Sequence, residues 1–204
     1  METKLILYGA SGHCKVVIDI LQNNNTRISS IVDENPNVKN ILGKKVKLAS
    51  QFDFNSLSNV ILTIGNNKAR KTLATKLVVN YATAIHSKAI VSSHAEIEQG
   101  TVIMAGAIIN PKVIIGKHCI INTAAIVEHD CKIEDFVHIS PSVSLAGGIQ
   151  VGEGTHIGIG AIVIQKIQIG KWVTIGAGAV IINDIPDYAV VVGNPGKIIK
   201  YNTV

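Results

Sequence analysis

The sequence predicts a two-part fold: a small parallel α/β domain, then an all-β domain in which short strands wind into a parallel coil. Three observations predict it. Aliphatic residues recur every six positions through the second half of the chain. Strand and amphipathic-helix patterns alternate through roughly the first 80 residues. Eighteen glycines and eight aromatics among 204 residues favour short strands with tight corners over helix bundles.

The repeat is the strongest of these. Sampled every six residues from Ile85 to Ile181, seventeen consecutive positions are Ile, Val or Leu. Two residues before each of them lies a second column of mostly small or apolar residues, including Ala107, Cys119, Ala125, Cys131, Thr155 and Ala179. A pair at i and i−2 facing inward is what a short strand gives. Neither helical periodicity nor a sandwich with longer spacing holds a strict six. The pattern fits a solenoid in which each hexapeptide makes one side and eighteen residues make one coil, about five to six coils in all. Each coil buries its column only against its neighbours, so the repetition cannot lapse.

In the first half, Lys4–Tyr8 reads as a buried strand. It leads through Gly9-Ala10-Ser11-Gly12-His13 into a helix ending near Asn23. Ile28–Val32 and Val60–Ile64 read as further strands, and Lys68–Leu77 as a second helix. The run Gly43-Lys44-Lys45-Val46-Lys47 reads as a turn. A Rossmann-like βαβαβ unit over residues 1–82 follows, with the coil domain over 83–204. The glycine turn can present free N–H groups to a phosphate, and Asp33-Glu34 at the end of the second strand can take ribose hydroxyls. The third glycine of a full dinucleotide fingerprint is missing, so a mononucleotide or nucleotide sugar suits the turn better than NAD, and a plain strand-to-helix turn with no ligand is the alternative.

A formal charge of +5 fits a solvated basic surface or attraction to phosphorylated small molecules. No dense basic block with interleaved aromatics suggests nucleic acid, and neither a signal-peptide pattern nor a membrane-length apolar run is seen. Three cysteines without a CxxC pair predict a reducing cytoplasm. Cys119 and Cys131 fall on the inward column as core thiols, and Cys14 reads as helix packing more readily than as a nucleophile.

The chemistry-bearing candidate is His129, in Val127-Glu128-His129-Asp130-Cys131 near a coil corner. A neutral imidazole with a carboxylate beside it can act as a base, and an exposed corner histidine is the plain alternative. Gly147 falls one coil beyond, flanked by Ala146 and Gly148, where small residues leave room for a thin ligand arm and expose N–H groups to an oxyanion. His138 and His156 are one coil apart, and half a coil separates His138 from His129, so the two face different sides of one prism. His13 sits after the glycine turn within reach of a phosphate. His86, His94 and His118 read as surface or linker residues. No histidine spacing predicts a metal site.

Four motifs carry a resemblance that covers almost the whole chain: Tyr8-Gly9-Ala10-Ser11-Gly12-His13, Ile64-Gly65-Asn66-Asn67, Ile121-Asn122-Thr123 and Glu128-His129-Asp130-Cys131. They are similar to the nucleotide-4-amino-sugar N-acetyltransferases of the bacillosamine and perosamine type, relatives of sialic acid O-acetyltransferases. The resemblance implies a left-handed parallel β-helix, a homotrimer with active sites between subunits, and acetyl-CoA with a nucleotide-linked amino sugar as substrates. It implies His129 as general base, Asp130 as the acid that polarises it and the Gly147 N–H as oxyanion donor. It places His138 near the thioester, Ile159 and Ala177 backbone along the pantetheine, and Asn122 as a substrate-orienting amide. The ending Val192-Gly193-Asn194-Pro195-Gly196-Lys197 resembles the family's CoA-proximal tail. Ser11, Gly12 and His13 resemble diphosphate contacts, Asp33 and Glu34 nucleoside contacts, and Gly65 a neighbour of the sugar. Cys14, where Gly or Ala is common, and Glu34, where some members have Asp, depart from the pattern and bear on the nucleotide more than on the reaction.

The expected activity is acetyl transfer to the C4 amine of a nucleotide-activated 4-amino-4,6-dideoxy sugar. O-acetylation of sialic acid or of a polysaccharide hydroxyl is the alternative, and a non-catalytic nucleotide-sugar-binding trimer is a rival of another class. UDP, GDP and dTDP are not separated by these motifs.

Overall fold

The computed structural model describes residues 4–54 and 58–203. The first domain is a twisted sheet with helices on both faces. Its elements are β1 (Lys4–Tyr8), α1 (Gly12–Asn23), β2 (Ser30–Asp33), β3 (Asn40–Ile41), β4 (Lys44–Leu48), β5 (Ser58–Leu62), α2 (Asn67–Lys76) and β6 (Asn80–Tyr81). Strand order is β3-β4-β2-β1-β5-β6, all parallel except the β3–β4 hairpin. Alternate strand residues face opposite ways. Leu7, Ile31 and Ile61 pack with Cys14, Val17, Ile18 and Leu21 of α1, whereas Ile6, Tyr8, Val60 and Leu62 pack with Leu73 of α2.

The lysine-rich segment is a correction. Lys44–Leu48 is a strand that pairs with β2, not a turn. Only Leu42 and Gly43, at φ 44° and 72°, turn the chain, and the lysines lie on a strand between β2 and the short edge strand β3. Because the chain runs β1, β2, β4 to one side and then returns to β5 on the other, the direction of winding reverses between β1 and β5. The carboxyl ends of these two strands, at Gly9 and at Ile64-Gly65, border the crevice where such sheets hold ligands.

From Ala84 the chain becomes a triangular prism of two-residue parallel strands, seventeen among the described residues. Residues eighteen apart pair across successive coils, as in Ile103 with Ile121 and Ile121 with Ile139. Both inward columns close into one continuous core from Ile103 to Val191, and the first coil packs against its open end. Corners turn through one residue of positive φ every six positions, from Gly100 to Gly178, including Asp130 (61°) and Phe136 (60°). The Ile-Gly and Val-Gly glycines have another task. A Cβ on Gly152 would lie 2.6 Å from the Gly170 backbone, so it lets one coil approach the next.

The three outer sides differ in chemistry. The docking side carries Ala84, Val102 and Ile120 on its first three strands, which α1 covers, and then His138, His156 and Thr174. The second side presents Ile90, Ile108, Ile126, Ser144, Ile162 and Val180, with Ile90 and Ile162 about half exposed or more (65% and 48%). The third is mainly polar, with Glu96, Lys132, Gln150 and Gln168. Strand Ala189–Val192 extends the docking side and pairs with the edge strand Lys197–Tyr201.

Polar residues of α2 seat the first domain on the corner between the third and docking sides. Asn67 Nδ2 donates to the Gly154 carbonyl (3.0 Å), and Arg70 donates to the carbonyls of His118 (2.8 Å) and Phe136 (3.0 Å). Those three carbonyls stand one coil apart. A fourth rung, Trp172, accepts from Asn202 of the tail (2.9 Å). Lys71 pairs with Glu153 and lies over the Trp172 ring.

Burial at this seam corrects two further readings. His86 and His118 are not surface residues; both are buried, His118 between Tyr81 and Phe136. His94 is exposed. Burial first, then the Arg70 charge, pushes His13 and His118 down to about 4 from the usual 6.5. His138 is lowered to about 3, again chiefly by burial.

Ile139→Ala, at a fully buried core position, is expected to cost about 2–5 kcal/mol, read as a lower denaturant midpoint. The histidines set a pH dependence. Between about pH 6.5 and 4 the unfolded chain holds protons that folded His13 and His118 do not, so stability falls as pH drops through that window. Thermal midpoints measured from pH 7 to 4.5 should decline; a flat profile would contradict it.

Candidate active site

Three groups of side chains converge, at separate places on the chain. The first lies at the carboxyl end of the α/β sheet. Gly9 adopts φ 106°, and a Cβ there would press on the Thr63 carbonyl and Ile64 at 3.0 Å. The turn is braced by Asp33, whose Oδ2 accepts from the Ala10 N–H (2.6 Å) and Oδ1 from the Asn35 N–H (2.8 Å). Glu34 accepts from the Tyr8 hydroxyl through Oε1 (3.2 Å). Burial, then Glu34, pushes Tyr8 up to about 12, so it remains a donor. Ser11 caps α1 without a side-chain bond to it, and open space surrounds Gly12. With no acidic side chain in its first turn, the α1 N-terminus offers unpaired N–H groups to an anion.

A cavity of about 400 Å³ joins Tyr8, Gly9, Ser11, Asp33 and Glu34 to Thr72 and Lys76 of α2. Sequence reasoning missed Thr72 and Lys76 because only the packing of α2 beside β1 brings them there. Of the residues expected to meet diphosphate, Ser11 and Gly12 are exposed. His13 is largely buried, and its Nε2 has no hydrogen-bond partner among the described residues. Cys14 is fully buried, and burial raises its thiol to about 11, which makes it a packing residue.

The second group lies where Gly65 meets the docking side. Asn122 Nδ2 is 3.2 Å from His138 Nε2, and the His138 and His156 rings stack at 4.8 Å, one coil apart. Ser140 Oγ is 2.9 Å from His156 Nε2. A cavity of about 540 Å³ opens from Gly65, His138 and His156 towards Trp172, Tyr188 and Asn202. The stack of His138 and His156 agrees with their one-coil spacing in the sequence; Ser140 and Trp172 were not singled out there, and their one signal was the eighteen-residue offset from Asn122 and Gly154.

The third group sits at the corner between the second and third sides. His129 Nδ1 lies 2.7 Å from Asp130 Oδ2. A carboxylate only accepts, so Nδ1 carries a proton, and in the neutral ring Nε2 keeps its lone pair. Glu128, the other carboxylate beside His129, instead faces its backbone N–H at 3.4 Å. The ring lies across Gly147: a Cβ there would be 2.6 Å from Cε1 and 2.8 Å from Nε2. Within the described residues the Gly147 N–H has no partner. A proton acceptor and an unused N–H donor therefore stand side by side, with no side chain between them. Ile159, exposed, and Ala177 occupy the opposite border of the second side, as does Asn122. Among the described residues no three His, Cys, Asp or Glu side chains converge to hold a metal ion, and no helix is long and apolar enough to cross a membrane. Cys119 and Cys131 are core thiols, raised by burial.

Comparison with known proteins places this geometry. Residues 4–77 match the PglD N-terminal domain family. No curated protein sequence matches significantly. Among solved structures, a mutant of perosamine N-acetyltransferase from Caulobacter crescentus, in complex with CoA and GDP-perosamine, is 34% identical. It superposes with a TM-score of 0.90, covering 97% of each chain. The acetyltransferase domain of PglB from Neisseria gonorrhoeae, solved also with acetyl coenzyme A, is 36% identical with a TM-score of 0.90, over 97% of this chain and 100% of that one. WeeI from Acinetobacter baumannii is 26% identical at a TM-score of 0.89, over 96% and 99%. Identity above 30% over nearly the full length, on the same α/β domain and β-helix, makes this chain a member of the bacillosamine- and perosamine-type nucleotide-amino-sugar N-acetyltransferases, with their left-handed parallel β-helix.

Proposed function

We propose that the protein transfers the acetyl group of acetyl-CoA to the C4 amine of a nucleotide-linked 4-amino-4,6-dideoxy sugar. One observation carries the reading: an imidazole oriented by Asp130, with its Nε2 free, lies over a glycine with an unused N–H, in a chain whose relatives are solved with CoA and GDP-perosamine. The acceptor amine, once neutral, attacks the thioester carbon and forms the C–N bond. His129 Nε2 takes the proton from the attacking nitrogen, and the oxyanion accepts from the Gly147 N–H. The C–S bond then breaks, and the thiolate leaves with the proton returned by the imidazolium. The nucleotide lies in the crevice beside Ser11, Gly12 and Glu34, with Asp33 holding the turn that shapes it.

The three outer sides support an assembly of copies. α1 covers the first strands of the docking side and the third side is polar but for Ile114, so the run of exposed isoleucines on the second side suits a further copy of the chain. His129 lies on one border of that side; Asn122, Ile159 and Ala177 lie on the other. A heterologous contact that closes after three copies sets His129 of one copy opposite Asn122 and His138 of the next, with the pantetheine arm between.

His129→Ala is expected to lower kcat by at least about two orders of magnitude while acetyl-CoA binding is retained. Thiol release in a steady-state assay with a panel of nucleotide 4-amino sugars measures it, and near-normal turnover would remove His129 as the base. Acetylation of a free sugar acid without a nucleotide would favour O-transfer instead. Ile162→Asp, on the second side, should convert a trimer into monomers in sedimentation and reduce turnover with it; an active monomer would place the whole site within one chain.

A further inference from the structure

Arg70 is fully buried, and its five donor hydrogens all meet oxygen. Nε reaches the His118 carbonyl (2.8 Å), and Nη1 the carbonyls of Ile64 (2.8 Å) and Gly65 (3.2 Å). Nη2 reaches Asn67 Oδ1 (2.9 Å) and the Phe136 carbonyl (3.0 Å). None of these acceptors is a carboxylate. A buried guanidinium with no carboxylate partner among the described residues is a costly way to glue two domains, since apolar packing would serve as well. What the planar five-point fork adds is geometry: one group fixes two coil corners and the Ile64-Gly65 turn in a single frame.

That frame extends to His138. Asn122 Oδ1 accepts from the Thr123 N–H (2.8 Å), which turns its NH₂ towards His138. His138 Nε2 must then accept, leaving the ring proton on Nδ1. Gly65 and His138 line the same cavity, and Phe136, whose carbonyl Arg70 holds, stands two residues before His138.

We propose that Arg70 is a positioning residue for the reaction: by holding the Ile64-Gly65 turn and the His118 and Phe136 corners in one frame, it sets how the Gly65 wall of the sugar site stands over His138 on the β-helix. The proposal rests on the acceptor reading above for its kinetic consequence alone. A lysine keeps the charge and loses the fork.

Arg70→Lys is therefore expected to raise the acceptor KM at least about tenfold while the KM for acetyl-CoA stays within about twofold. Lys71→Met, which removes the neighbouring domain contact to Glu153 and Trp172, should lower the thermal midpoint and leave both KM values unchanged. An acceptor KM for Arg70→Lys that matches wild type, or a rise in both KM values together, overturns the proposal. Nitrogen-15 imidazole spectra add a readout apart from turnover: the His138 shifts should move in Arg70→Lys and stay as in wild type in Lys71→Met. Unmoved His138 shifts in Arg70→Lys overturn the proposal. Absence of turnover by the wild type on every nucleotide amino sugar would instead sink the functional reading, with the spectra still deciding the role of Arg70.

Discussion

The backbone hydrogen bonds between successive coils hold residues eighteen apart one strand spacing from each other, and the rest of the structure inherits that register. A 4.8 Å stack of His138 on His156 is this spacing expressed in side chains. So is the ring of His129 lying across Gly147. The register is kept by the aliphatic columns. One slipped residue would turn every buried Ile and Val of a side outward, so the coil has no neighbouring arrangement of comparable energy.

Corners are where this order has a cost and a use. Each turns through a residue of positive φ, often not glycine, at a local cost of roughly 1–2 kcal/mol that stacking on both neighbours sustains. The turning residue's carbonyl points away from the coil ladder. At the corner beneath α2, the carbonyls of His118, Phe136, Gly154 and Trp172 form a row of acceptors, and Arg70, Asn67 and Asn202 fill it. At the next corner the turning residue is Asp130, and its side chain orients the histidine before it. One structural device thus docks a domain at one edge of the prism and aims a base at another.

The glycines divide by the same logic. Gly9 is required by a left-handed turn, Gly152 by the approach of one coil to the next, and Gly147 by an imidazole that occupies the space its side chain would need. Only the third has a direct bearing on chemistry. It keeps the unused N–H and the free Nε2 within one small volume, and any larger residue would displace the ring.

Much of this was legible in the residues alone, because a period of six is a local property that survives without knowledge of contacts. The columns from Ile85 to Ile181, the core placement of Cys119 and Cys131, the glycine turn and the pairing of His129 with Gly147 all follow from counting. What the count could not reach was decided by packing between distant segments. Lys44–Leu48 became a strand because β2 offered it an edge, against its charge. His86 and His118 were read as surface residues and are buried, since the α/β domain covers the side they occupy. Arg70 carries no signal in the sequence, for its partners at His118 and Phe136 lie 48 and 66 residues away. Periodicity determines which side of a coil a residue faces. What stands opposite that side is a long-range matter, set by how the two domains meet, and only the folded chain decides it.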